Sequence, residues 1–309
     1  MRLPVVGTFT RGALVCSILV FTILSVIHTK EIEGQEATAK TFERGKTLYE
    51  SQCARCHGDT GRGDGKDSRR LGFHPRDFAM GSFKCRCTPS GALPTDQDLL
   101  RILTQGLPGT PMQPPDVQWT LEDKRALIQY VKHFSKRFGH ETAPACILIP
   151  PRPANAENAA DEGKQIYRIV RCWNCHGVRG RGDGPAAADL TDDWDRRIKP
   201  YNFTVLKKFK CGNDDRDLYR TLHTGMNGTP MPSYKDAMLF AGDLERERHP
   251  FLELFGAEET DAILAYLEKQ PDAAALDAMS DKEKEALIAH RTWALVDYLR
   301  SLLRPAPQR

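Results

Sequence analysis

One stretch of this chain is written twice. Ser51-Gln52-Cys53-Ala54-Arg55-Cys56-His57 returns as Val170-Arg171-Cys172-Trp173-Asn174-Cys175-His176, 119 residues later. The same offset carries Gly61-Arg62-Gly63-Asp64-Gly65 onto Gly180-Arg181-Gly182-Asp183-Gly184, Asp98-Leu99 onto Asp217-Leu218, and Gly109-Thr110-Pro111-Met112 onto Gly228-Thr229-Pro230-Met231. Phe83-Lys84-Cys85 returns as Phe209-Lys210-Cys211 at an offset of 126, so one loop is a little longer in the second copy. Duplication is the economical account, and it restricts the fold to two copies of one small unit. A length of 309 residues fits two domains of roughly 150 residues each.

Each copy reads as short helices joined by Gly- and Pro-rich loops, with almost no period-2 alternation, so the expected class is all-α. Thr41 to His57 and Asn158 to His176 are predicted as helices that run into the cysteine motif. Thr95 to Gly106 and Asp214 to Gly225 are predicted as helices ending at glycine. Leu121 to Phe134 closes the first copy with Leu127, Ile128, Tyr130 and Val131 on one face. In the second copy two segments compete for that closing position. The later one, Trp293 to Leu299, is preferred over Ala262 to Leu267 and implies an insertion between about 232 and 280. The resulting division is an N-terminal segment over 1–30, a first domain over 40–140, a Pro- and Ala-rich linker over 141–158, and a second domain over 159–303. The linker composition is stiff and extended.

Composition and charge narrow the function. The formal net charge of +3 comes entirely from Arg2, Arg11 and Lys30, because residues 1–30 hold no acid. Removing those three from the 44 basic residues leaves 41 facing 41 acids. A neutral body argues against a nucleic-acid partner, which needs a clustered basic excess. From Gly12 to Thr29 no residue carries a formal charge, and eighteen residues is the lower edge of what spans a bilayer. Basic residues before the run and Glu31, Glu33 and Glu36 after it place the body on the outer face of the cytoplasmic membrane. An uncleaved transmembrane anchor is the preferred reading. A cleaved signal peptide, leaving a soluble periplasmic protein, is the alternative, although Ala37-Thr38-Ala39 stands late for a cleavage site. Either way the compartment is oxidising.

The repeated Cys-x-x-Cys-His motif carries the chemistry. Two thiols at i and i+3 on one helical face can add to the two vinyl groups of a haem, and the following histidine then faces the iron; this is the signature of c-type attachment. Zinc fits poorly, since no second cysteine pair follows at zinc-finger spacing. A thioredoxin-type redox pair lacks its strand. Cys53, Cys56, Cys172 and Cys175 are therefore candidate attachment residues for two covalently bound haem c groups, with His57 and His176 as axial ligands. Met112 stands 55 residues after His57 and Met231 stands 55 after His176, which makes this pair the candidate distal ligands. Met80 and Met226 lack counterparts and are expected to be packing residues. His74 and His223 are expected at the surface or a pocket edge. The Gly-x-Gly-Asp-Gly stretches do not follow a strand and open a helix, which excludes a nucleotide site.

The repeat resembles two tandem class I cytochrome c domains, over roughly residues 40 to 300. The resemblance is carried by Cys53 to Gly58, Gly61 to Gly65, Phe83-Lys84, Leu93 to Leu99 and Gly109 to Met112, with a more degenerate second copy. It implies haem c, His and Met ligation and one-electron transfer between redox proteins. The protein is expected to be a diheme carrier, acting by itself or as a subunit of a membrane oxidoreductase or terminal oxidase. Diheme cytochrome c peroxidases are the rival, but they need a releasable distal site, against which the two matched methionines stand. The resemblance also implies that a proline carbonyl orients each proximal histidine, with Pro75 and Pro200 as candidates. It does not account for the cysteines beside the Phe-Lys segments.

After four haem cysteines and Cys16 are subtracted, Cys85, Cys87, Cys146 and Cys211 remain, and four thiols allow three pairings. A Cys85–Cys211 bond joins matching repeat positions and would require the domains to face each other about a pseudo-twofold axis. Alternatively Cys85 or Cys87 pairs with Cys146, or some stay as buried thiols. Lys66, Arg69, Arg70 and Arg76 follow the first motif; they form either a docking patch for an acidic redox partner or a solvated run.

Overall fold

Among the described residues, four helices begin with complete capping boxes, in which side chains satisfy the first free backbone amides. Thr95, Thr120, Asp214 and Ser280 each accept from the N3 amide, and Asp98, Asp123, Asp217 and Glu283 reach back to complete capping boxes. The computed structural model describes residues 36–71, 74–114, 118–153, 158–205, 209–242, 251 and 253–303. The expected membrane segment over 1–30 and Cys16 lie outside these. Among the described residues no helix is long and apolar enough to cross a membrane.

The first domain contains α1 over 36–52, α2 (Asp96–Gln105) and α3 (Leu121–His133). The second contains α4 (Ala159–Ile169), α5 (Asp215–Thr224), α6 (Ala257–Leu267) and α7 (Asp281–Ser301). Among the described residues only an isolated bridge, Thr191 to Arg197, has β geometry, so the all-helical expectation holds for them. The predicted continuous helix into each motif is corrected. A turn at Cys53 separates α1 from the one-turn helix Ala54–His57, and Arg171, at φ +60°, breaks the chain before Trp173–His176. A left-handed residue cannot continue a right-handed helix.

The two domains close in the same way. A Cβ on Gly45 would collide with the Ala126 carbonyl of α3, and one on Gly163 would collide with the Ala294 carbonyl of α7. The later candidate segment therefore occupies the closing position. Beside these crossings Tyr49 donates to the Gly58 carbonyl at 2.7 Å and Tyr167 to the Gly177 carbonyl at 2.6 Å. Propensity alone makes Gly163→Ala stabilising by about 1 kcal/mol, whereas prising two helix backbones apart costs about 1–3 kcal/mol or more. A net loss of at least 1 kcal/mol is expected in denaturant unfolding. A neutral result would mean that the crossing is not a tight one.

The insertion builds a third apolar cluster. Phe251, Ile263, Leu264 and Leu267 are buried with Ile169, Phe240 and Phe255 packed against them, behind α4. Arg168 of α4 pairs with Glu259 of α6 at 2.6 Å, and Tyr266 donates to Glu162 at 3.0 Å.

The domains face each other. Cys85 is bonded to Cys211, with Cα atoms 5.0 Å apart, and Cys87 to Cys146. Arg86, between two of these cysteines, is only 1% exposed and donates to the Thr224 carbonyl of the second domain at 2.7 Å. Arg101 donates to the Cys211 carbonyl at 2.9 Å, Trp194 to Asp77 at 3.2 Å, and Asn227 bonds Gly91 and Ala92. The described part of the linker is extended and tied to each domain. Ile147 donates to the Cys87 carbonyl, while the Pro150 carbonyl accepts from Trp293 of α7.

Candidate functional site

The first motif opens onto an apolar cavity of about 320 Å³. Cys53, Cys56 and His57 line one part of it, Leu99, Ile102 and Leu103 of α2 and Leu127, Ile128 and Val131 of α3 line its walls, and Met112 lines it as well. The size lies within the range of cofactor pockets. Cys53 and Cys56 are not disulfide-bonded, and neither are Cys172 and Cys175 of the second motif. Burial, reinforced by the neighbouring thiol, pushes the Cys53 and Cys172 thiols up to about 12, so both remain protonated at neutral pH. No grouping of three or more His, Cys, Asp or Glu suited to a bare metal ion occurs among the described residues. Unbonded thiols beside an apolar slot with a histidine in its wall fit a haem and do not fit zinc.

The histidine of each motif is held the same way. His57 Nδ1 donates to the Arg76 carbonyl at 3.0 Å and His176 Nδ1 to the Tyr201 carbonyl at 2.9 Å, which leaves Nε2 of each as a neutral donor atom for a metal. Burial lowers both imidazoles below their ordinary value, against the raising effect of these carbonyls. This corrects the expectation for Pro75 and Pro200 by one residue. The proline carbonyls turn instead toward Gly63 and Gly182, where a Cβ would crowd them. Phe78 stacks on His57 with centroids 4.4 Å apart, and Phe203 lies 4.6 Å from His176. Sequence reasoning missed both rings. The readable signal was Pro75-Arg76-Asp77-Phe78 against Pro200-Tyr201-Asn202-Phe203, where Asp77 and Asn202 each accept from the amide two residues on.

The methionine loops also match. Leu107 donates to the Met112 carbonyl at 2.7 Å and Met226 to the Met231 carbonyl at 3.0 Å. Thr110 and Thr229 brace them by donating to Leu107 and Met226, each at 2.7 Å. Met231 packs against the core of the second domain beside Tyr234. Three expectations are corrected. Met80 is 52% exposed and packs no core. His223 is buried, stacked on Tyr219, and not at the surface, because the inward face of α5 carries it. Arg76 does not belong with the exposed Lys66, Arg69 and Arg70; it turns into the domain junction and lies 4.6 Å over the Trp194 ring. His74 is exposed at the cavity rim.

The family described as Cytochrome c matches residues 160–271, and that described as Cytochrome C oxidase, cbb3-type, subunit III, matches residues 40–131. A chain from the Kuenenia stuttgartiensis reducing HAO-like protein complex is 34% identical, with a TM-score of 0.65, over 85% of this chain and 96% of that one. The chain is a tandem c-type cytochrome. No curated protein matches it. The cytochrome's two domains indicate covalently bound haem c and electron transfer. The match in the second domain stops at residue 271, within the insertion, whereas α7 supplies the closing helix.

Proposed function

We propose that this cytochrome binds two haem c groups with His/Met ligation and passes single electrons between redox complexes on the outer face of the cytoplasmic membrane. The observation that carries the reading is the first cavity, in which His57, Met112 and two unbonded cysteines line a single apolar space. Cys53 and Cys56 hold one haem and Cys172 and Cys175 the other; His57 with Met112 and His176 with Met231 bind iron. The haem supplies the one-electron chemistry. The chain keeps both imidazoles neutral and aimed through the Arg76 and Tyr201 carbonyls, excludes water with Phe78, Leu99 and Leu127, and sets the inter-domain distance through the Cys85–Cys211 bond. Similarity to a chain of a multi-protein redox complex supports work as a subunit of such a complex. The uncharged run over 12–29 supports an N-terminal anchor.

A methionine-to-iron charge-transfer band with an intensity for two low-spin haems is the expected spectrum. Met112→Ala should abolish about half of it and lower one potential, since methionine favours ferrous iron. A wild-type high-spin haem that turns over peroxide would replace the carrier reading with the peroxidase one. Fractionation of cells, with the intact chain in the membrane pellet, tests the anchor.

A further inference from the structure

The loop that leads from the Gly-x-Gly-Asp-Gly stretch to the residues holding the motif histidine differs between the copies. Nine residues separate Gly65 from Pro75, and fifteen separate Gly184 from Pro200. The longer loop makes a tight reversal. Thr191 and Arg197 form the isolated bridge, Asp192 accepts from the amides of Trp194 and Arg196 through one carboxylate oxygen, and Asp195 turns at φ +56°. Trp194, in this reversal, crosses to the first domain. Its Nε1 donates to Asp77 Oδ2 at 3.2 Å, and the Arg76 guanidinium lies 4.6 Å over its ring, with Asp192, Asp193 and Asp77 supplying the opposite charge. The other oxygen of Asp77 accepts from the Ala79 amide at 2.8 Å. The residues on both sides of the Arg76–Asp77 peptide are therefore tied to one indole, and a planar peptide so tied has little freedom to turn its carbonyl. That carbonyl takes the His57 Nδ1 proton.

The same indole backs the methionine loop of its own domain. A Cβ on Gly228 would stand 2.9 Å from the indole, and the Gly228 carbonyl accepts from the Asp193 amide at 3.4 Å. Gly228 opens the segment Gly228-Thr229-Pro230-Met231, in which Thr229 braces the turn. The matching Asn202 of the second domain uses its side-chain oxygen within its own turn, on the amide and hydroxyl of Thr204.

We propose that Trp194 is a positioning residue for both sets of iron ligands: through Asp77 and Arg76 it fixes the carbonyl that holds His57, and through Gly228 it backs the loop that carries Met231. The extra residues of the second copy thereby give one side chain a part in each site. A firm carbonyl acceptor makes the imidazole a stronger donor to a metal, which favours ferric iron, so loosening the Arg76 carbonyl favours the ferrous form.

The inference rests on the His/Met reading above, which haem counting and the wild-type spectrum check separately. Trp194→Phe and Trp194→Ala holoproteins, with Arg101→Met as a control at a junction contact away from both ligand sets, would be assayed for haem per chain, by potentiometric titration, and for the methionine-to-iron band. Trp194→Phe keeps a ring beside Gly228 but loses the bond to Asp77. It is expected to retain two haems and to shift the first haem's one-electron equilibrium about threefold toward ferrous, roughly 30 mV. In the Met112→Ala background, where the band reports the second haem alone, Trp194→Ala should reduce the band at least twofold while Trp194→Phe leaves it intact. Should Trp194→Ala not fold, Trp194→Leu carries the same expectation. Unchanged potentials and an unchanged band in the Trp194 variants overturn the proposal, and so do equal shifts in Arg101→Met, which would mark a general loosening of the junction. Fewer than two haems, or no methionine-to-iron band, in the wild type overturns the underlying reading instead.

Discussion

Replacing Cys53 and Cys56 together by alanine is expected to halve the haem carried per chain and to unfold most of the first domain. The reason is volumetric. The cavity of about 320 Å³ is walled by buried residues of α2 and α3, including Leu99, Leu127 and Ile128, with Phe78 and Phe83 beside them. At about 24 cal/mol per Å³, keeping a space of that size dry and empty costs on the order of 8 kcal/mol, comparable with the whole stability of a domain, about 5–15 kcal/mol. The cofactor is thus most of the first domain's core. The second domain has its own cluster, built on Ile166, Leu218, Trp293 and Leu295, and should keep its haem. Intact mass and haem absorbance per chain measure the loss, and limited proteolysis maps it to residues 36–140. A variant of unchanged mass would show that these cysteines do not hold the cofactor.

Arg291→Met is expected to cost about 3–5 kcal/mol without removing either haem. Arg291 is fully buried in α7 and lies 3.8 Å over the Phe240 ring. It donates to the Gln270 side chain at 2.7 Å, to the Phe240 carbonyl at 3.2 Å, and to the Met238 carbonyl. A thioether fills part of the volume but leaves these acceptors buried without a donor, and hydrogen bonds to a charged group are each worth about 1.5–3 kcal/mol. The three acceptors lie at the two ends of the inserted segment, so its detachment from α7 should expose 234–278 to protease first. A loss below about 1 kcal/mol, with the insertion still protected, would mean that Arg291 is not its anchor.

Much of this site is legible because its determinants are local. A Cys-x-x-Cys-His motif positions three side chains within one helical turn, and threonine or aspartate three residues before an acid marks a helix start whatever surrounds it. Asp96–Gln105 and Asp215–Thr224 accordingly lie where the caps put them, each followed by a glycine at positive φ. The carbonyls of Arg76 and Tyr201 were missed by one residue, since choosing between adjacent carbonyls depends on which one the Gly63 or Gly182 turn crowds. Arg76 looked like part of a surface run because its neighbours Arg69 and Arg70 are one; only Trp194 and Gly228, more than a hundred residues away, reveal where it goes.

The amino-acid order alone determined two copies of a Cys-x-x-Cys-His unit, the matched spacing of their histidines and methionines, and the later of two segments as the preferred closing helix. These are consequences of spacing along a helix and of equal offsets between copies. Only the tertiary structure decided that the domains face each other, that Cys85 pairs with Cys211 and Cys87 with Cys146, and that Lys210 of the second domain lines the first cavity. Four thiols are compatible with three pairings at any spacing, and a disulfide needs its two Cα atoms brought within about 7 Å. That approach is made by the packing of the junction around Arg86, Arg101 and Trp194 and is not written in the distance between cysteines.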